Sequence, residues 1–162
     1  MTAEDYTSDE LATVASAVMV TGIAVAMVDA GIISTAIEAA ALGKEVAEAA
    51  INYPNNDIIQ TLFSQEAVEK AQVNPPAKME IKAADLQPDT AVDTAIDKIN
   101  DAVAVLRGKA TPENLQEYKE FIYNCAETVA AAAGSGLFGT GSPKVSERET
   151  VALTKLKAAL EL

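Results

Sequence analysis

Eighteen consecutive residues without a charge, Leu11 to Val28, lie between Glu10 and Asp29, and no other feature restricts the possible folds as strongly. A run of that length reaches the threshold at which a membrane span has to be weighed. Its flanks argue against one. Glu4, Asp5, Asp9 and Glu10 precede it, Asp29 follows it, and the first basic residue is Lys44, so the basic flank of a signal or anchor sequence is missing. Nine of the 18 residues are Ala, Ser, Thr or Gly. A helix apolar all round yet half built from small residues is expected at the centre of a bundle, fully buried with neighbours on every side. Thr7 and Glu10 are spaced as a capping box, Tyr6 can pack against Leu11, and the acids fall where a helix dipole favours them.

The remainder of the chain supports the same fold class. Alanine accounts for 32 of the 162 residues, aromatics for 4%, and 49% of the chain is hydrophobic. Such a chain can bury a core, but must fill it with small side chains that let helices approach closely. The expectation is all-α: one domain, residues 1–162, of about six helices around the N-terminal Ala/Val-rich helix. After Gly31 a second helix is expected from about Ser34 to Ile51, with Thr35 and Glu38 as its capping box, stopped by Asn52-Tyr53-Pro54-Asn55. A third is expected over about Asp57–Ala71. Pro75-Pro76 and Pro88 make residues 72–88 an internal connector, with one possible turn at Lys78–Ala84. Val92, Ala95, Ile96, Ile99, Val103 and Leu106 recur at helical spacing up to Gly108. Thr111-Pro112 opens the next helix, to about Ala133, and Ser146 and Glu149 cap the last, whose buried stripe is Ala152, Leu153, Leu156 and Leu160.

Composition excludes several functions. A net charge of −12 opposes nucleic-acid binding. Without histidine there is no Ser-His-Asp or Cys-His nucleophile pair and no Glu-x-x-His metal motif. Cys125, the single thiol, lies on the apolar stripe Leu115, Tyr118, Ile122, Cys125, Val129, Ala132 and reads as a buried small hydrophobe, compatible with the cytoplasm. Gly134-Ser135-Gly136-Leu137-Phe138-Gly139 fits G-x-G-x-x-G, but it follows a helix rather than a strand and reads as a loop. Asp89, Asp93, Asp97 and Asp101 recur every fourth residue, opposite the apolar stripe begun at Val92, as a solvated face does.

One junction carries position-specific chemistry. Asp29 follows the end of a helix, where an acid opposes the dipole and sits beside carbonyls that are themselves acceptors. Glu38 lies across the Gly31 turn, and oxygen ligands of this kind suit a divalent cation, Ca²⁺ or Mg²⁺. Asp29 and Glu38 are therefore the candidate metal residues; as caps alone, they would account for the same pattern. The segment Asp29-Ala30-Gly31-Ile32-Ile33-Ser34-Thr35-Ala36-Ile37-Glu38 resembles the helix-linking element of TerB-like proteins, and Lys144-Val145-Ser146-Glu147-Arg148-Glu149 resembles the same aliphatic–Ser–x–x–Glu start. Those proteins are associated with tellurite resistance and stress. The resemblance implies an all-α bundle in the cytoplasm that binds or scaffolds without catalysis. A protein partner or self-association, as in a homodimer, is expected. Two other functions compete: a small enzyme using carboxylates as acid and base, and a protein anchored to a membrane by residues 11–28.

Overall fold

The computed structural model describes residues 6–28, 35–73, 87–133 and 145–162. Every regular element among them is a helix: α1 (Ser8–Met27), α2 (Thr35–Asn52), α3 (Asp57–Phe63), α4 (Gln65–Val73), α5 (Ala91–Arg107), α6 (Pro112–Ala133) and α7 (Glu147–Leu160). The all-α expectation is met, with one helix more than expected. The segment anticipated as a single helix over Asp57–Ala71 is broken at Ser64, whose backbone is extended (φ −65°, ψ 156°). Ser64 ends α3 by donating its N–H to Gln60, and its hydroxyl accepts from Ala67 N–H to begin α4. A serine satisfies the loose backbone groups of both helix ends at once, which is why the apolar periodicity alone missed the break.

The caps explain where most other helices start. Thr7 Oγ1 accepts from Glu10 N–H while the Glu10 carboxylate accepts from Thr7 N–H, a closed capping box. Ser146 and Glu149 form the same box at α7. Thr111 Oγ1 accepts from Asn114 N–H at the start of α6. Asn56, fully buried, accepts from Ile58 and Ile59 N–H through Oδ1 and donates to the Asn114 carbonyl. One side chain therefore both caps α3 and ties it to α6. Thr35, expected as a cap, is the first residue of α2; the connector turn at residues 78–84 and the loop 134–144 lie outside the described residues.

Cross-helix contacts fix the directions. Tyr118, buried on α6, donates its hydroxyl to the Val14 carbonyl, and Lys109, just past α5, grips Glu10 at the start of α1 at 2.6 Å. Helix α1 accordingly runs parallel to α6 and antiparallel to α5. Tyr53, just past the end of α2, and Glu45 within it meet Asn124 and Thr128 of α6, and Lys157 and Glu161 at α7 meet Tyr123 and Lys119 of α6. Both α2 and α7 therefore run antiparallel to α6.

The expected central helix needs a correction. α1 is long and apolar enough to cross a membrane, but half of its apolar window is buried against the other helices, with Val14, Ala17, Val18, Ala24 and Val25 fully enclosed. It is not enclosed on every side. Ala12, Ser16, Met19, Ile23 and Met27 form a stripe that is only half-buried. The packing around α1 is supplied chiefly by α5, α6 and α2, while α7 grazes it and α3 and α4 sit elsewhere. Gly22 marks the closest approach. A Cβ there would lie 2.5 Å from Leu42 Cδ2, so α2 reaches α1 only because position 22 has no side chain.

Candidate functional site

The helix directions bring five termini to one end of the bundle: the C-terminal ends of α1 and α6 and the N-terminal ends of α2, α5 and α7. Two carboxylates are buried there. Glu38, in the first turn of α2, is 1% exposed and continues the buried stripe of Leu42 and Ala49. Glu149, in the first turn of α7, is also 1% exposed and continues the stripe of Ala152, Leu156 and Leu160. Leu153, placed on that stripe by sequence, is only half-buried.

The contacts of α6 provide a ruler for both acids. Glu149 lies two turns beyond Lys157, whose partner is Tyr123, so it falls beside about residue 131 of α6. Glu38 lies two turns beyond Glu45, whose partner is Thr128, so it falls just past the end of α6. Their axial levels differ by about one helical turn, roughly 5 Å. Asp29, the other candidate, lies outside the described residues. Its neighbour Val28 lines a groove with the start of α7, so the end of α1 belongs to this same end of the bundle.

The hydrogen bonding of Glu149 is unusual. Oε2 accepts from Ser146 N–H at 2.7 Å, whereas Oε1 is fully enclosed and has no hydrogen-bond partner. Among the described residues no Lys or Arg pairs with it. A buried, half-satisfied carboxylate without a counter-charge is costly, of the order of several kcal/mol for an ion taken from water. The sequence reading gave Glu149 only a capping role. Its place on the Ala152–Leu156–Leu160 stripe was the signal that it turns inward. Thr21 Oγ1 on α1 is buried without a partner too, but it lies two turns before Val28, about 10 Å from the end.

The surface nearby is amphoteric. A groove of about 370 Å³ between α5 and α7 is lined by Val28, Val92, Asp89 and Asp93 on one side and Arg148 and Lys155 on the other. Lys155 reaches Asp93 at 3.7 Å. The four-residue ladder Asp89, Asp93, Asp97, Asp101 is exposed throughout, as expected of a solvated face. Neither this groove nor a second, of about 520 Å³ between α6 and α7, is lined by Glu38 or Glu149. Cys125 is fully buried, and burial, with Glu45 adding to it, pushes its thiol far above the usual range. Burial likewise raises the Tyr118 phenol. Neither group is available as a nucleophile or base near neutral pH. Among the described residues no cluster of three or more His, Cys, Asp or Glu is arranged to hold a metal ion. Compared with known proteins, the chain matches no family model, no curated protein and no solved structure.

Proposed function

We propose that the protein is a non-catalytic helical binding module of the cytoplasm that takes a divalent cation, Ca²⁺ or Mg²⁺, at the α1–α2 junction through Asp29 and Glu38. The observation that carries the proposal is the burial of Glu38: a carboxylate 1% exposed in the first turn of α2, at the end of the bundle where α1 stops. Hard oxygen donors at a helix junction suit Ca²⁺ and Mg²⁺ and not soft metals. The dipole of α2 supports an anion at that position. On this basis the cation links the end of α1 to the start of α2, and the acidic surface presents the bundle to a protein partner or a second copy. The resemblance to TerB-like stress proteins points to a binding or scaffolding role of the same kind.

Calorimetric titration of the metal-stripped full chain with Ca²⁺, Mg²⁺ and Mn²⁺ tests the proposal. Saturable binding that disappears in both Asp29→Asn and Glu38→Gln is the expected result. Heats no larger than those of weak, salt-screened association would overturn cation binding and leave a helical scaffold.

A further inference from the structure

Basic residues are scarce in this chain, 12 against 24 acids, and several are closely engaged by an acid of the same molecule. Lys109 holds Glu10 at 2.6 Å, Lys70 holds Glu66 at 2.8 Å, and Lys119 and Arg107 share Glu161. The outer side of α7 differs. Arg148, Val151 and Lys155 recur there at helical spacing, and all three are exposed. Among the described residues Arg148 forms no ion pair. Val151 is 57% exposed, and with Ile51 and Val68 it is one of three large hydrophobic side chains left in solvent among those residues.

Helix α5 packs beside α7 and runs parallel to it, since both are antiparallel to α6. Asp89, just before α5, and Asp93, in its first turn, are exposed along the facing side. Between the two helices lies the groove of about 370 Å³, with Val28, Val92 and Ala152 as its apolar lining. Acids therefore border the hollow on the α5 side. Two bases border it on the α7 side, where Glu147 is the one acid. Within the chain the two rows meet only through Lys155 and Asp93, at 3.7 Å with more than half of each side chain exposed.

Such a surface is complementary to itself. A two-fold axis through the hollow sets α5 of one copy antiparallel against α7 of the other, and the same contact is made twice. The acid row of each copy then faces the base row of its partner, and each Val151 enters the other copy's hollow. A uniformly acidic or uniformly basic partner would be repelled by one of the two rows. The net charge of −12 works against contact between copies on the acidic remainder of the surface.

We infer that two copies of the chain associate as a two-fold dimer through this α5–α7 face, with Val151 at its centre and the Asp89/Asp93 and Arg148/Lys155 rows paired across it. The inference rests on the function proposed above only for the second copy; the cation has no part in it.

The test is sedimentation equilibrium of the full chain in EDTA, from about 10 µM to about 1 mM to cover a small, transient interface. The parent is compared with Val151→Asp, with the double variant Asp89→Lys/Asp93→Lys and with the double variant Arg148→Glu/Lys155→Glu. All five positions are exposed, and circular dichroism checks that each variant keeps the helical fold. The inference requires a monomer–dimer equilibrium in the parent and affinity lowered at least about tenfold in Val151→Asp. Each charge variant alone should be monomeric, because like rows then face each other at both contacts. An equimolar mixture of the two should dimerise again, because its two contacts both set a basic row against an acidic one. A parent that stays monomeric throughout overturns the inference and leaves cation binding standing. A dimer that these substitutions leave unchanged, or charge variants that fail to recover on mixing, overturns it as well. Failure of the cation titration leaves it untouched, since the dimer is measured without metal.

Discussion

Two glycines in neighbouring helices allow one substitution to be run in opposite directions. Gly22 and Gly43 both lie inside helices, α1 and α2, and alanine at either gains about 1 kcal/mol of helix propensity. Their surroundings differ completely. A Cβ at Gly22 meets Leu42 Cδ2 at 2.5 Å, Cδ1 at 2.7 Å and Cγ at 3.1 Å, and Leu42 is itself 5% exposed with little room to turn aside. A Cβ at Gly43, an exposed position, meets nothing within 4 Å. Gly43→Ala should therefore stabilise by about 0.5–1 kcal/mol. Gly22→Ala receives the same gain but must overpack the α1–α2 contact, at about 1–3 kcal/mol. Because the propensity gain is common to both, the difference between the two variants isolates the steric cost. That difference should be about 1–3 kcal/mol, with roughly 2–4 °C in melting temperature for each kcal/mol in a chain of this size. Urea titration of parent and variants at one pH and salt is the assay, with m-values checked for equality. Leu42→Ala provides the internal control. It is destabilising by itself, but removes the obstructing carbons, so Gly22→Ala should become favourable in that background. Equal stabilisation by Gly22→Ala and Gly43→Ala in the parent would show that α1 and α2 do not meet at Gly22 and would refute the packing described.

Acid should weaken the fold through its ion pairs. Lys109 and the Thr7 backbone hold the Glu10 carboxyl below the ordinary glutamate range, and Lys119, followed by Arg107, does the same for Glu161. A carboxyl depressed in the folded state contributes stability that is present above its unfolded value and lost as pH falls through its folded value. The melting temperature should accordingly drop as pH falls below about 4.3, less steeply in Glu10→Gln and Glu161→Gln and less steeply in high salt; an identical profile in all three chains would contradict these pairings. Cys125 should resist a disulfide-exchange reagent at pH 8 in the native protein and react with one equivalent in denaturant, since burial keeps its thiol protonated. Immediate stoichiometric labelling of the native chain would place that thiol outside the core.

The C-terminal residues illustrate how tertiary contact uses a position that local rules disfavour. Glu161 sits in the left-handed region, φ 58°, as the cap of α7, where glycine is the usual choice. Its carboxylate reaches Lys119 at 2.8 Å and Arg107 at 3.5 Å, tying the end of α7 to α6 and α5. A glycine would relax the backbone and forfeit both contacts. Nothing in the sequence near Glu161 announces either partner, because Arg107 and Lys119 lie on two other helices.

Local signals were enough for the helices themselves. The box residues Thr7 and Glu10, Ser146 and Glu149, the Thr111 cap and the apolar stripe through Cys125 are short-range patterns of side-chain hydrogen bonding and 3.6-residue periodicity, and the structure has each of them. Sequence alone therefore determined the fold class, the start of most helices and the buried place of the lone thiol. It misjudged the Ser64 break, where one hydroxyl caps a helix that the apolar pattern carries through. It also misjudged α1, since hydrophobicity shows what can be buried but not how many neighbours arrive to bury it. Only the tertiary structure decided that α2 touches α1 at Gly22, that Lys109 neutralises Glu10, and that Glu149 turns inward. The physical reason is range. Caps and periodicity are settled within a few residues of chain, whereas burial, counter-charge and close approach depend on which distant helices meet.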